Sequence, residues 1–167
     1  MGRAVLLAAE MPFKEVVGIE LNPTLAQIAR RNLTRWRKAG RVSAWKVRIV
    51  EGDAIEFQLP AAPIVAFLFN PFGAPVLKRL LKKWRKALAS QPNSLELIYV
   101  NNEHESVLEH VPGFTRLFLG KIARSRADAI ADHKIMANQP DGEYASSNFE
   151  DCSIWRWNGV GNRKRAG

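Results

Sequence analysis

From its first residue to about residue 119 this chain keeps changing hydrophobic period, and that change most limits what it can fold into. Short β-branched runs alternate with stretches whose apolar residues return every three or four positions. A repeat of two marks a strand and a repeat of 3.6 a helix, and their regular alternation is the pattern of a parallel sheet wrapped by helices, because parallel strands need crossover connections. The expected fold class is α/β, with a mostly parallel sheet and helices on both faces through right-handed crossovers.

Residues 2–11 read as a helix with Val5, Leu6 and Ala9 on one face, stopped by Pro12. Residues 16–20 follow as a strand. Asn22 then offers an N-cap oxygen and Pro23 a first helical residue; Leu25, Ile28, Ala29, Leu33 and Trp36 line one face until Gly40 ends the helix. Residues 46–50 alternate as a strand, and the continuous apolar run 64–69 predicts a strand buried on both faces. A second long helix is expected over 74–89, with Leu77, Leu80, Leu81, Trp84 and Leu88 inward and lysines and arginines outward. Strand 95–100, a short helix over 103–110 and strand 114–119 complete the alternation. Residues 120–152 combine a weakly helical stretch with a turn-rich one, 153–157 reads as a closing strand, and the basic tail 159–167 has nothing to bury and is expected to be mobile. One domain over residues 1–158 plus that tail suits a chain of 167 residues.

No apolar run nears the roughly 20 residues that span a bilayer, and the acid and proline in the first thirteen residues do not suit a secretory signal; a cytoplasmic location is the expectation. Cys152 is the lone cysteine, which excludes an intramolecular disulfide, fits a reducing compartment and leaves no metal centre to expect. The net charge of +9 points toward polyanions, although much of it lies between apolar residues in ARRNLTRWRKAGR and LKRLLKKWRK, where it forms the outer faces of helices.

Ligands of an open α/β sheet bind at the carboxyl ends of its strands. Four expected strand ends carry Glu20, Gly52-Asp53, Asn70-Pro71-Phe72 and Asn101-Asn102. Glu20 is placed to grip a ribose diol and Asp53 to accept from an exocyclic amine, a pair suited to a nucleoside. The plainer alternatives are that Glu20 caps the helix after it and that Asp53 and Asn70 only shape turns. His104, just past a strand end, is a candidate base.

On these residues the chain resembles the class I S-adenosylmethionine-dependent methyltransferases, over about residues 2–119. Gly2-Arg3 are similar to the end of that family's glycine-rich loop, and VVGIELN to its second strand, which would make Glu20 the ribose acid and Leu21 the residue packed on adenine. VEGDAIEF resembles the triplet whose acid reads the adenine amine, here Asp53 followed by Ala54. FLFNPFG resembles the catalytic edge at Asn70, Pro71 and Phe72, close to the Asn-Pro-Pro-aromatic motif of amine methyltransferases but without the second proline. The resemblance implies a Rossmann-like sheet closed by an antiparallel strand, S-adenosylmethionine as cofactor and small-molecule methyl donor, and methyl transfer to an acceptor that the residues leave open, whether protein, small molecule or nucleic acid.

The family's first strand, which lies between the strand ending in Glu20 and the one ending in Phe69, has no counterpart ahead of Gly2. The chain is therefore expected to be an N-terminally truncated partial domain that binds the donor weakly or not at all alone, with the neighbouring strands closing up or another segment filling the slot. Two other readings stand beside methyl transfer. One is a non-enzymatic nucleic-acid-binding module on the same fold, favoured by the charge and by Trp36, Trp45 and Trp84 near Lys and Arg. The other is a nicotinamide-dependent oxidoreductase, since a ribose acid after the second strand serves that fold too.

Overall fold

The computed structural model describes residues 2–60, 63–125, 130 and 148–159. The expectations for the rest of 120–152 and for most of the tail lie outside the described residues. The chain forms two compact units, Met1–Gln58 and Leu59–Gly167.

The first unit runs α1 (Arg3–Ala9), β1 (Glu15–Glu20), α2 (Pro23–Lys38) and β2 (Lys46–Glu51). Helix α1 starts on Gly2, which takes the left-handed conformation at φ 75° and lies so close to α2 that a Cβ there would sit 2.9 Å from the Ala29 Cβ. Helix α2 starts as its sequence dictates. Asn22 Oδ1 accepts from Thr24 N at 2.9 Å and Leu25 N at 3.2 Å, Pro23 occupies the first turn, and Arg35, Arg37 and Lys38 face the negative end of the helix dipole. The buried stripe of α2 is Ala26, Ala29 and Leu33, whereas Ile28 is exposed and Trp36 half-buried. The expected apolar face is thus rotated: small alanines face the strands and let the helix approach, which leaves bulky Ile28 to solvent. Strands β1 and β2 pair in parallel, Glu20 opposite Glu51. Glu15 straps them together through Lys46 (3.2 Å) and Arg48 (2.8 Å), and the Arg48 and then the Lys46 hydrogen bond hold its carboxyl below the usual carboxylate range. Leu6, Ala9, Val16, Leu33, Ala44 and Val47 form the core.

The second unit runs β3 (Ile64–Phe69), α3 (Ala74–Ala87), β4 (Leu95–Val100), α4 (Glu105–Glu109), β5 (Phe114–Ala123) and β6 (Phe149–Trp157). Its sheet order is β3-β4-β6-β5, with β3 parallel to β4 and β6 antiparallel to both β4 and β5. Leu97 faces Trp155 and Tyr99 faces Ser153, all fully or almost fully buried. The inner face of α3 is the predicted one, Leu77, Leu80, Leu81 and Trp84, with Leu88 as its C-cap.

Three expectations are corrected here. Strand β3 is not buried on both faces: Val65, Phe67 and Phe69 alternate along it and are each about half exposed, so they share one face that no element among the described residues covers fully. Lys121 to Ala123 belong to β5, not to a helix, and β6 begins at Phe149, since pairing such as Lys121 with Asp151 and Ala123 with Phe149 outweighs local helix propensity. No further segment pairs with either strand beside the expected gap among the described residues: β1 pairs only with β2 and β3 only with β4. No helix among the described residues is long and apolar enough to cross a membrane, and no cluster of His, Cys, Asp and Glu there is arranged to hold a metal.

Candidate functional site

The structure gathers the sequence-predicted residues into two groups, one in each unit. In the first unit the strand ends are tied by the Gly52 N–H, which donates to the Glu20 carbonyl at 3.0 Å, so Glu20, Leu21, Asp53 and Ala54 lie together at the carboxyl edge of β1 and β2. Glu20 Oε1 accepts from Asn22 N at 3.0 Å, steadying the start of α2, while Oε2 has no partner among the described residues. Asp53 Oδ1 accepts from Ile55 N at 2.8 Å and closes a turn; the Asp53 side chain is exposed. Both plainer roles therefore exist in the structure, and neither uses up its carboxylate, since each oxygen has two lone pairs. Leu21 is 71% exposed beside them. Gly52, at φ 155°, has nothing within 4 Å of where a Cβ would stand. An open floor, an apolar flank and two carboxylates are the chemistry a nucleoside needs, so these residues fit the donor that the sequence suggested. A shallow depression lined by Pro23, Thr24, Gln27, Arg30 and Glu51 lies next to this edge, with Arg30 bonded to Glu51 at 3.3 Å.

In the second unit the turn after β3 carries Asn70, Pro71 and Phe72. Asn70 adopts φ 37°, a left-handed conformation that costs a residue with a side chain some strain and that concentrates at functional turns. Its Oδ1 accepts from the Tyr99 hydroxyl at 2.9 Å, and that hydroxyl in turn accepts from His104 N at 3.4 Å. Tyr99 is fully buried, so one phenol connects the end of β3, the end of β4 and the start of α4. Asn101, at φ 51°, donates its N–H to the Asp151 carbonyl at 2.7 Å, and Asn102 Nδ2 donates to Glu105 at 3.0 Å, so both asparagines serve the local turn. His104 is the N-cap residue of α4 and makes no side-chain capping bond.

Tyr99 is the residue that sequence reasoning missed. Its signal was a hydroxyl at the carboxyl end of the apolar run LELIYV, a place where a buried phenol needs a partner. Burial raises its pKa above the ordinary 10.0, the Glu103 charge adds to this, and the His104 N–H works against it. With the folded pKa above the unfolded one, this contribution to stability is complete below about pH 10 and is lost as pH climbs through the folded value. In urea titrations between pH 9 and 11, Tyr99→Phe should show a smaller alkaline loss of stability than the parent protein, after an offset of about 1 kcal/mol at neutral pH for the lost hydrogen bond. Parallel curves for the two proteins would mean that the phenol is not perturbed.

No protein-family model matches the sequence, and a search of curated proteins finds no match. Solved structures do resemble it. Sp1610 of Streptococcus pneumoniae, described as a candidate tRNA (m1A22) methyltransferase, superposes with a TM-score of 0.54 at 12% identity over 89% of this chain and 55% of its own; in its complex with S-adenosyl-L-methionine the TM-score is 0.53. The 23S rRNA methyltransferase ErmE gives 0.50 at 13% identity, covering 94% of this chain and 67% of that one. A candidate methyltransferase from Pseudomonas syringae gives 0.51 at 15% identity, covering 93% and 80%. At such identities the likeness defines the fold: an α/β, Rossmann-like methyltransferase architecture, mixed and mostly parallel. This chain spans little more than half the length of Sp1610.

Proposed function

We propose that this chain takes part in S-adenosylmethionine-dependent methyl transfer to an amine nitrogen. The observation that carries the reading is the pair of acids, Glu20 and Asp53, joined at one strand edge of a methyltransferase fold. Glu20 accepts the ribose hydroxyls, Asp53 accepts the adenine amine, Leu21 packs on the base, and Ala54 and Gly2 keep the backbone close. When bound, the sulfonium donor supplies an already activated methyl group, so the protein's part is alignment and exclusion of water rather than strong base catalysis.

Asn70 accepts an N–H of the acceptor on its remaining Oδ1 lone pair, the Pro71 carbonyl accepts a second, and Phe72 walls the site. Tyr99 acts through Asn70 as a positioning residue, since its hydroxyl fixes the amide.

Asn70→Ala should lower the rate of tritiated-methyl transfer about 100-fold, the scale of misplacing a reacting group by an ångström, with donor affinity unchanged. An unaltered rate would remove Asn70 from the mechanism.

A further inference from the structure

We infer that the outer face of α3 is a docking surface for the phosphate backbone of a nucleic-acid strand. Between Glu56 and Glu96 the sequence has no acidic residue, and within that interval α3 carries Lys78, Arg79, Lys82, Lys83, Arg85 and Lys86. At 100° per residue these cations occupy one continuous arc, opposite the buried stripe of Leu77, Leu80, Leu81 and Trp84.

The charge of the arc is less balanced than that of many cations on the described surface, although exposed Arg31, Arg35 and Lys38 on α2 also meet no carboxylate there. Arg30, Arg41, Lys46, Arg48, Arg116, Arg124 and Arg156 each meet a carboxylate. Lys78, Arg79, Lys82 and Lys86 are exposed and meet none among the described residues. An unbalanced row of cations on a rigid helix is stabilised by releasing the counterions of a polyanion.

The geometry selects the polyanion. Lys78, Lys82 and Lys86 recur every four residues, about 6 Å apart along the helix axis, which suits a chain of regularly spaced charges. A membrane surface would also attract the cations, but an interfacial helix needs a free apolar face, and the apolar face of α3 is buried in its own unit. The helix starts four residues after Asn70, so a strand lying along it runs past the Asn70 turn. Phosphate contacts of this kind position a substrate without reading its sequence. Together with the proposed amine transfer, and resting on that reading for this one step, the face makes the acceptor nitrogen an exocyclic amine of a nucleobase.

The test is fluorescence-anisotropy titration of the whole chain with a fluorescein-labelled 20-nucleotide RNA and a DNA of the same sequence, at several salt concentrations. It needs no methyl donor, so its outcome is separate from that of the transfer reading. Both probes should bind, within a few-fold of each other, with a slope of log affinity against log salt of about −3 for roughly four phosphate contacts. Lys78→Glu/Lys82→Glu should weaken binding about tenfold or more and flatten the slope by about 1.4. Arg31→Glu/Arg35→Glu on α2 makes the same change in net charge and should change affinity less than about threefold if the contact is local. Lys82→Gln/Lys86→Gln, which removes charge without reversing it, should give an intermediate loss. Equal losses in the α2 and α3 variants, absence of binding, or binding only to phosphatidylserine vesicles would each overturn the inference.

Discussion

Replacing Trp157 by alanine should unfold the second unit under conditions where the parent protein is fully folded. Trp157 is completely buried near the carboxyl end of β6. Its indole Nε1 donates at 3.0 Å to the Leu88 carbonyl at the end of α3, which also accepts from Gln91 N at 2.9 Å, and its ring lies 5.3 Å from that of Phe114. Its backbone carbonyl accepts from Asn93 N at 2.7 Å. One side chain thus joins the end of α3 to the start of β5. Large aromatic-to-alanine changes at such sites cost about 3–5 kcal/mol, against a total of about 5–15 kcal/mol for a domain. In urea the midpoint should fall by more than about 1 M, given a slope of 1–3 kcal/mol/M. A midpoint within error of the parent's would show that the indole is not the keystone of this unit.

Gly113→Ala should be nearly as damaging, through a different cause. Gly113 has φ 96°, a conformation open to glycine and strained for alanine, and a Cβ there would lie 2.4 Å from Trp157 Cζ3 and 2.8 Å from the Gly159 carbonyl oxygen. The ring is locked by its own hydrogen bond and the second obstacle is backbone, so neither yields cheaply. Strain and overpacking together cost about 2–5 kcal/mol. Because the two positions touch, the double variant Gly113→Ala/Trp157→Ala should lose less than the sum of the single losses, as the vacated ring space receives the new methyl. Additive losses would place the cost wholly in the backbone.

What could be read from the residues was local. The N-cap pair Asn22-Pro23, the stop at Gly40 and the inner face of α3 follow from short-range rules, and each occurs where those rules put it. What could not be read depended on partners distant in the chain. The run 64–69 is equally apolar whether both faces of β3 are covered or one, so its composition could not announce the half-exposed Phe67 and Phe69. Lys121 to Ala123 look helical by propensity and become strand only because β6 lies alongside. On α2 two apolar stripes competed, and the narrower one, built on Ala26 and Ala29, won because it allows closer packing.

The same distinction holds at the site. Glu20 and Asp53 were visible because strand ends in an α/β fold are predictable places, and the backbone bond from Gly52 to Glu20 joins them. The Tyr99–Asn70 contact spans 29 positions, and nothing in either neighbourhood announces it. Sequence therefore locates groups at strand ends more readily than the long-range contacts that hold such turns in place.

The proposed function rests on the Glu20 carboxylate gripping the ribose of a nucleoside-type methyl donor. Its most direct test is a ¹⁵N–¹H correlation spectrum of this chain titrated with S-adenosylhomocysteine into the millimolar range, where weak binding is still read residue by residue. Saturable shifts are expected, confined to Gly2, Glu20, Leu21 and Gly52 to Ala54, and abolished in Glu20→Ala while the rest of the spectrum is preserved. Shifts elsewhere, shifts that survive Glu20→Ala, or none at all would contradict it.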